Sequence, residues 1–155
     1  MKNCIAISNR QNRLPLTDNI KQHIKLAVCE TLKYEGIDFP CDVSVSIVSK
    51  DEIRTLNSSH RKIDKETDVL SFPMYERVDS TFVPNGRTLL GDIVICAEVA
   101  AKQARELEHS VPEEIAFLCI HSTLHLLGYD HVKSVEDEED MCTRQKEIKE
   151  RMGIK

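Results

Sequence analysis

The hydrophobic pattern predicts strands and helices that alternate over much of the chain. Between residues 17 and 35 apolar side chains recur every three or four positions and Gly36 follows, which predicts an amphipathic helix. The segment VSVSIV, residues 43–48, alternates β-branched residues with serines, as in a half-buried strand. Shorter apolar runs predict three further strands, at CIAIS (4–8), VLSFP (69–73) and GDIVIC (91–96).

Two Ser-x-x-Glu sequences mark helix starts, because such a pair forms a capping box. The first, Ser49 to Glu52, predicts a short helix ending near Asn57, and the second, Ser110 to Glu113, opens a longer helix that is apolar nearly all round. Residues 97–108 have the pattern of an amphipathic helix. Residues 74–87, which contain Pro-Asn-Gly, predict a hairpin tip or a mobile loop.

The last helix is expected from about Val135 to the basic residues near the C-terminus. It starts with the acidic run EDEED, residues 136–140, and this order of charges complements the helix dipole. We therefore interpret the run as a structural helix start rather than as an interaction tail. Met141, Ile148 and Met152 form the expected inward stripe.

The predicted element order is β-α-β-α-β-β-α-α-α, with no internal repeat and no linker. Such an order indicates an α+β fold in which helices cover one small mixed sheet. A chain of 155 residues is expected to form one domain, here residues 1–155.

Composition narrows the function classes. With 41% hydrophobic and 30% charged residues, the chain is typical of soluble globular proteins. The net charge of −5 argues against a generally basic surface for nucleic acid, although the EDEED run alone supplies that charge. One group of cations could form a local basic patch or belong to an ordinary solvated helix face. These residues are Lys50, Arg54, Arg61, Lys62 and Lys65.

The six cysteines form no C-x-x-C pair, and the N-terminal apolar run is too short for a secretory signal. We expect free thiols in a reducing compartment, which makes the cytoplasm the default location. No apolar segment approaches the length of a membrane span, so no membrane association is expected.

Candidate chemistry is concentrated in the segment HSTLHLLGYDH. His121 and His125 are four residues apart, so on a helix both imidazoles lie on one face. His131 would lie about 9 Å beyond His125 if the helix continued. Gly128 can adopt the left-handed conformation that ends a helix and returns the chain. The spacing therefore predicts a three-histidine metal site with a fourth position open to water or substrate.

The same segment matches the metzincin protease signature H-E-x-x-H-x-x-G-x-x-H at each histidine and at the glycine, a helix–glycine–turn–histidine arrangement. It differs at Ser122, where the proteases have a glutamate general base. A serine hydroxyl cannot take a proton from metal-bound water at neutral pH, which argues against peptide hydrolysis. Phosphodiester cleavage needs that base less, because water activated by the metal, or a ribose 2′-hydroxyl, can attack directly.

Three motifs in order, LNSSHRKIDKETDVLSFP, GDIVI and HSTLHLLGYDH, with Met141 in the last helix, resemble the YbeY family of metal-dependent endoribonucleases. The resemblance covers nearly the whole chain. It implies a single-strand-specific endoribonuclease that acts in 3′-end maturation of small-subunit ribosomal RNA and in ribosome quality control. Single-stranded RNA, small-subunit ribosomal RNA and ribosomal proteins are the implied partners, and the oligomeric state is left open.

The resemblance also implies site residues. Zinc is the metal expected at His121, His125 and His131, although three imidazoles also accept nickel or copper. Arg61 matches the functional arginine of the family, whose guanidinium would brace a phosphate. The chain differs from the family at His60, usually an aromatic residue, which could stack on a base or carry a proton, and at Ser122, usually glycine.

Other residues have more than one interpretation. Asp130 could orient a ligand imidazole or only form the turn, while Asp68 and Asp92 are expected to be structural. Two alternative functions remain at this stage: an atypical metallopeptidase, and a ribosome-binding assembly factor whose metal is structural. A fourth buried ligand would favour the latter, and Cys119 is the nearest cysteine but lies on a different helix face from His121.

Overall fold

Within the part of the chain that the structure describes, four strands and five helices follow one another in the order predicted from the sequence. The computed structural model describes residues 2–130 and 134–154. The strands are β1 (Cys4–Asn9), β2 (Cys41–Val48), β3 (Val69–Pro73) and β4 (Thr88–Cys96). The helices are α1 (Asp18–Tyr34), α2 (Lys50–Arg61), α3 (Ala97–Glu106), α4 (Val111–Leu126) and α5 (Val135–Arg151).

The strands form one mixed sheet in the spatial order β1-β2-β4-β3. Strands β1, β2 and β4 are parallel, and β3 pairs antiparallel with β4. In β2 the side chains of Val43, Val45 and Ile47 are buried, whereas those of Ser44 and Ser46 are partly exposed, as the alternating pattern predicted. The α+β fold with a small mixed sheet is therefore confirmed.

Helix α4 lies at the centre of the molecule and packs against α1, α3, α5, β3 and β4. Its apolar side chains are buried on all sides, which confirms the interpretation of this segment as a buried helix. Glycine at position 91 allows β4 to pack closely against β3 and α4. A Cβ atom there would lie 2.2 Å from the carbonyl oxygen of Phe72 and 3.0 Å from Cδ2 of Leu126.

Helix α2 ends at Arg61, four residues beyond the predicted end at Asn57, so that prediction was wrong. Asn57 does not break the helix, because its side chain is buried and its amide donates a hydrogen bond to the carbonyl oxygen of Lys65, 2.9 Å away. The helix ends instead at Lys62, which has a left-handed backbone (φ +58°). His60 and Arg61 consequently lie in the last helical turn.

Helix α5 begins as its charge order predicted. The Ser134 hydroxyl accepts a hydrogen bond from the backbone N–H of Asp137, 3.0 Å away, and the acidic run forms the exposed first turns. Met141 and Ile148 are buried and Met152 is partly buried. The contacts support the structural interpretation of the acidic run.

Residues 74–87 join the antiparallel strands β3 and β4, and two backbone hydrogen bonds hold the first part of this connection. The backbone N–H of Met74 donates to the carbonyl oxygen of Leu90 (2.9 Å), and that of Val78 donates to Leu127 at the end of α4 (3.1 Å). Val78 is buried. Of the two predicted alternatives the hairpin connection applies, and one of its sides lies against the end of α4.

All six cysteines are free thiols, as predicted. Within residues 2–130 and 134–154, none of the helices combines the length and the apolar character required to cross a bilayer.

Candidate metal centre and cleft

The helix that carries the two histidines has a well-defined start. The Ser110 hydroxyl accepts from the backbone N–H of Glu113 (3.2 Å), and the Glu113 carboxylate accepts from the backbone N–H of Ser110 (3.1 Å). This confirms the predicted capping box. Behind it, Nε2 of His109 lies 2.7 Å from the buried carboxylate of Glu114. Burial raises the pKa of Glu114, and the hydrogen bond from His109 acts in the opposite direction.

His121 and His125 point at the same place, as their four-residue spacing predicted. Their Nε2 atoms are 3.1 Å apart, and the ring centroids are separated by 4.6 Å. Both side chains are partly buried. Two imidazole nitrogens so close together are arranged to share one proton or one cation.

Gln145, on helix α5, forms a hydrogen bond with the His121 ring at the nitrogen that does not face His125. Its Oε1 atom lies 2.8 Å from Nδ1 of His121, and the Gln145 side chain is 7% exposed. An imidazole that donates from Nδ1 has its lone pair at Nε2, the atom that faces His125. Sequence reasoning missed this residue. The sequence signal that could have identified it is a single amide side chain at an inward-facing position of the last helix, between Met141 and Ile148.

Gly128 ends helix α4 as predicted. Its φ is +111°, its N–H donates to the carbonyl oxygen of His125 (3.0 Å), and the N–H of Tyr129 donates to Leu124 (3.1 Å). This pair of bonds is a Schellman motif. A Cβ atom at Gly128 would lie 2.7 Å from the carbonyl oxygen of Glu76, so glycine is also required by the close approach of the connection between β3 and β4.

His131, the third histidine of the predicted site, lies outside the described residues. Within the described part of the chain, no group of three metal-ligating side chains is found. The described residues thus provide two of the three predicted ligands, with the turn after Gly128 leading towards the third.

A cleft with a volume of about 770 Å³ opens beside the two histidines. Its walls come from the end of α2, from β3 with the residues after it, and from the turn after α4. Among the side chains that line it are His60, Arg61, Tyr75, Glu76 and Asp130. The extension of α2 to Arg61 therefore brings the predicted arginine to the same cleft as His121 and His125.

Arg61 is exposed, and no described carboxylate forms an ion pair with it. Arg54, seven positions earlier, differs: its Nε atom lies 2.8 Å from Oδ1 of Asp64. Of the five cations considered for a local basic patch, Arg54 is therefore paired with a carboxylate, whereas Arg61 lines the cleft.

Tyr129 forms part of the cleft wall, and its side chain is held by contacts with Glu35 and Arg144. Its hydroxyl donates to Oε1 of Glu35 (2.5 Å), the Arg144 guanidinium donates to Oε2 of Glu35 (2.6 Å), and Arg144 also covers the Tyr129 ring at 4.7 Å. Burial, and then the hydrogen bond to Glu35, raise the pKa of Tyr129 well above its usual range. Tyr129 therefore remains protonated, and its contacts with Glu35 and Arg144 stabilise the turn after helix α4.

The remaining predicted positions fall into two groups. Asp130 lines the cleft, and its role as an orienter or as a turn residue stays a prediction. Asp68 accepts from the backbone N–H of Val69 (2.8 Å) and from Gln103 (3.3 Å), and Asp92 accepts from Ser44 across the sheet. These contacts support the structural roles expected for the two aspartates.

Ser122 and Cys119 are completely buried in α4 and do not line the cleft. Burial raises the pKa of the Cys119 thiol to about 12. Because Cys119 does not line the cleft that contains the two histidines, it is not positioned as the fourth buried ligand that a structural metal would require.

Comparison with known proteins decides the family. The family model described as Endoribonuclease YbeY matches residues 6–153. The chain belongs to the YbeY endoribonuclease family. The Endoribonuclease YbeY of Alkaliphilus metalliredigens is 41% identical over 150 residues, covering 97% of this chain and 96% of the relative. That of Caldicellulosiruptor saccharolyticus is 42% identical over 157 residues, covering 97% and 98%.

A solution structure of a Thermotoga maritima protein has a similar fold, with a TM-score of 0.60 and 31% sequence identity over 96% of this chain and 89% of that one. Membership in the YbeY family makes this protein an endoribonuclease, a hydrolase of RNA phosphodiester bonds. The comparisons do not favour the metallopeptidase or the non-catalytic assembly factor.

Proposed function

We propose that this YbeY-family endoribonuclease depends on a metal ion held by His121, His125 and His131. The observation that carries the proposal is the convergence of the Nε2 atoms of His121 and His125, 3.1 Å apart, at one end of the cleft. The helix end at Gly128 supports it, because the chain must turn there for a third ligand six residues after His125 to reach the same ion.

The described residues fit zinc. Two nitrogens that bind one tetrahedral zinc at about 2.0–2.1 Å are separated by about 3.3 Å, close to the distance between the histidines. Gln145 supplies the outer hydrogen bond that normally fixes a metal-binding imidazole in the correct tautomer. We propose zinc, one per chain, with nickel or another divalent transition metal able to replace it in vitro. Bound in this way, the metal would activate a water or a ribose hydroxyl for attack on phosphorus.

The chain's own residues would bind and orient the phosphodiester. We propose that Arg61 donates two hydrogen bonds to phosphate oxygens and stabilises the charge that develops during cleavage. Its lack of a described carboxylate partner supports this role, because the guanidinium is available for an anion. Ser122 takes no part in proton transfer, since it is buried away from the cleft.

We propose single-stranded RNA as the substrate, and the 3′ end of small-subunit ribosomal RNA as its biological target, with a role in ribosome quality control. We propose small-subunit ribosomal RNA and ribosomal proteins as the partners, and the cytoplasm as the location. The cleft supports the choice of single strands, because bases are accessible to aromatic walls only when unpaired.

Metal analysis and RNA cleavage test the proposal together. We expect one zinc per purified chain, loss of cleavage of a single-stranded RNA after chelation, and recovery after zinc is returned. A duplex of the same sequence should be cleaved far more slowly. Full cleavage by a metal-free sample whose fold is intact by circular dichroism would reject metal dependence.

A further inference from the structure

Tyr75 places an exposed aromatic ring on the wall of the cleft. The side chain lines the cleft together with Arg61 and His125, yet 40% of the residue is exposed to solvent. An exposed ring on the wall of a concave cleft is positioned to contact a ligand that enters the cleft. The ring is therefore a candidate for contact with the substrate.

The ring is held from one side by the core. Tyr75 packs edge-to-face against Phe82, with centroids 5.1 Å apart, and Phe82 in turn contacts Phe39 at 5.6 Å. Phe39 and Phe82 are partly buried against the main core. An edge-to-face contact occupies at most one face of each ring, so Tyr75 keeps a face for another planar group.

The segment that carries Tyr75 is also fixed at its base. The hydrogen bond from Val78 to Leu127 and the tight approach of Glu76 to Gly128 join it to the end of helix α4. A ring fixed in this way loses little conformational freedom on binding, which favours stacking.

His60 presents a similar ring on another wall. It is exposed, lines the same cleft, and packs edge-to-face against Phe72 with centroids 5.0 Å apart. The cleft thus offers two supported rings beside one arginine, the combination with which proteins bind single-stranded nucleic acid without strong sequence preference.

We propose that Tyr75 stacks on an unpaired nucleobase of the substrate, with His60 as a second stacking surface. This inference rests on the proposed function and specifies how the cleft selects RNA. It assigns single-strand selectivity to the rings, because a base must leave its helix to reach them, while Arg61 would contact the backbone whatever the sequence.

The test is equilibrium binding of a labelled oligouridine with a non-hydrolysable backbone and of an abasic strand of the same length and backbone, measured by fluorescence anisotropy with the metal-containing protein. The variants are Tyr75→Leu, Tyr75→Phe and, as a matched control, Met74→Ala. Met74 is the neighbouring residue, is 59% exposed and does not line the cleft.

We expect Tyr75→Leu to weaken oligouridine binding about 5- to 150-fold, the range for loss of one stacked base, and to leave abasic binding unchanged. Tyr75→Phe and Met74→Ala should bind both strands like the wild type. An equal loss for both strands, or no loss in Tyr75→Leu, would overturn the stacking role. If the wild-type protein binds neither strand, the proposed RNA substrate itself fails, and the inference fails with it.

Discussion

Oε1 of Gln145, on helix α5, lies 2.8 Å from Nδ1 of His121, on helix α4, although the two residues are 24 positions apart in the chain. Gln145 is buried where a leucine would otherwise complete an apolar stripe. A buried amide needs hydrogen bonds to offset its loss of hydration, and the side-chain bond described for Gln145 leads to the imidazole that it orients.

Replacing Gln145 by leucine should weaken metal binding while leaving the fold intact. Loss of such an outer hydrogen bond typically costs about 10- to 100-fold in metal affinity. Competition titration with a chromophoric zinc chelator measures the change. The matched control is Gln103→Leu, since Gln103 bonds Asp68 and does not line the cleft. Unchanged zinc affinity in Gln145→Leu would show that the bond has no influence on the metal.

Replacing Arg61 by alanine should reduce the rate of RNA cleavage without reducing metal content. Loss of one donor to a developing charge costs about 10²- to 10³-fold in kcat. Steady-state cleavage of single-stranded RNA provides the measurement. Arg54→Ala is the matched control, because Arg54 lies on the same helix but pairs with Asp64. Equal rates in the two variants would remove Arg61 from the mechanism.

Replacing Gly128 by alanine should destabilise the protein by about 1–3 kcal/mol, the cost of a strained backbone, with more from the clash with Glu76. Gly86→Ala is the control, since Gly86 also has a positive φ (+76°) but a Cβ there would meet nothing within 4 Å. Urea unfolding gives both free energies. A smaller loss for Gly128→Ala than for Gly86→Ala would contradict the packing described for this turn.

Replacing Ser110 by alanine should lower the free energy of unfolding by about 1 kcal/mol near neutral pH, as for other helix caps. Hydrogen bonds from the Ser110 hydroxyl and backbone hold the pKa of Glu113 below its usual value. A carboxyl group whose pKa is lower in the folded than in the unfolded state stabilises the fold at pH values above its unfolded pKa of about 4.3. This contribution is lost as the pH falls through the pKa of the folded state.

The cost of Ser110→Ala should therefore be smaller at about pH 3.5 than at about pH 7. Urea unfolding at both values tests this, with Ser134→Ala as the control. Ser134 also caps a helix, but its third helical residue is an aspartate, so no reciprocal Glu bond is available there. A pH-independent cost for Ser110→Ala would mean that Glu113 does not take part in the cap.

Much of the fold could be predicted from local patterns. Ser110 and Glu113 interact within one helical turn, and Gly128 ends α4 through bonds to the turn before it, so their signals are contained in short stretches of sequence. The spacing of His121 and His125 is local in the same sense. Each of these features depends on helical geometry alone.

Features that depend on packing between distant segments could not be predicted. The partner of His121 comes from another helix, and Glu35, at the end of α1, binds Tyr129, 94 positions away. The end of α2 was misplaced because Asn57 is held by Lys65, a contact made only after the chain has turned back. Likewise, Tyr75 could not be assigned to the cleft before the course of the connection from β3 to β4 was known.

The central claim, that phosphodiester cleavage occurs at the histidine pair, is tested most directly by one measurement. Cleavage of a single-stranded RNA is followed with highly purified wild-type protein, His125→Ala and His109→Ala, each checked for folding and metal content. His109 lies just before helix α4, pairs with Glu114 and does not line the cleft. We expect cleavage and metal to be lost together in His125→Ala and retained in His109→Ala. Equal cleavage by His125→Ala and wild type would contradict the assignment of the active site.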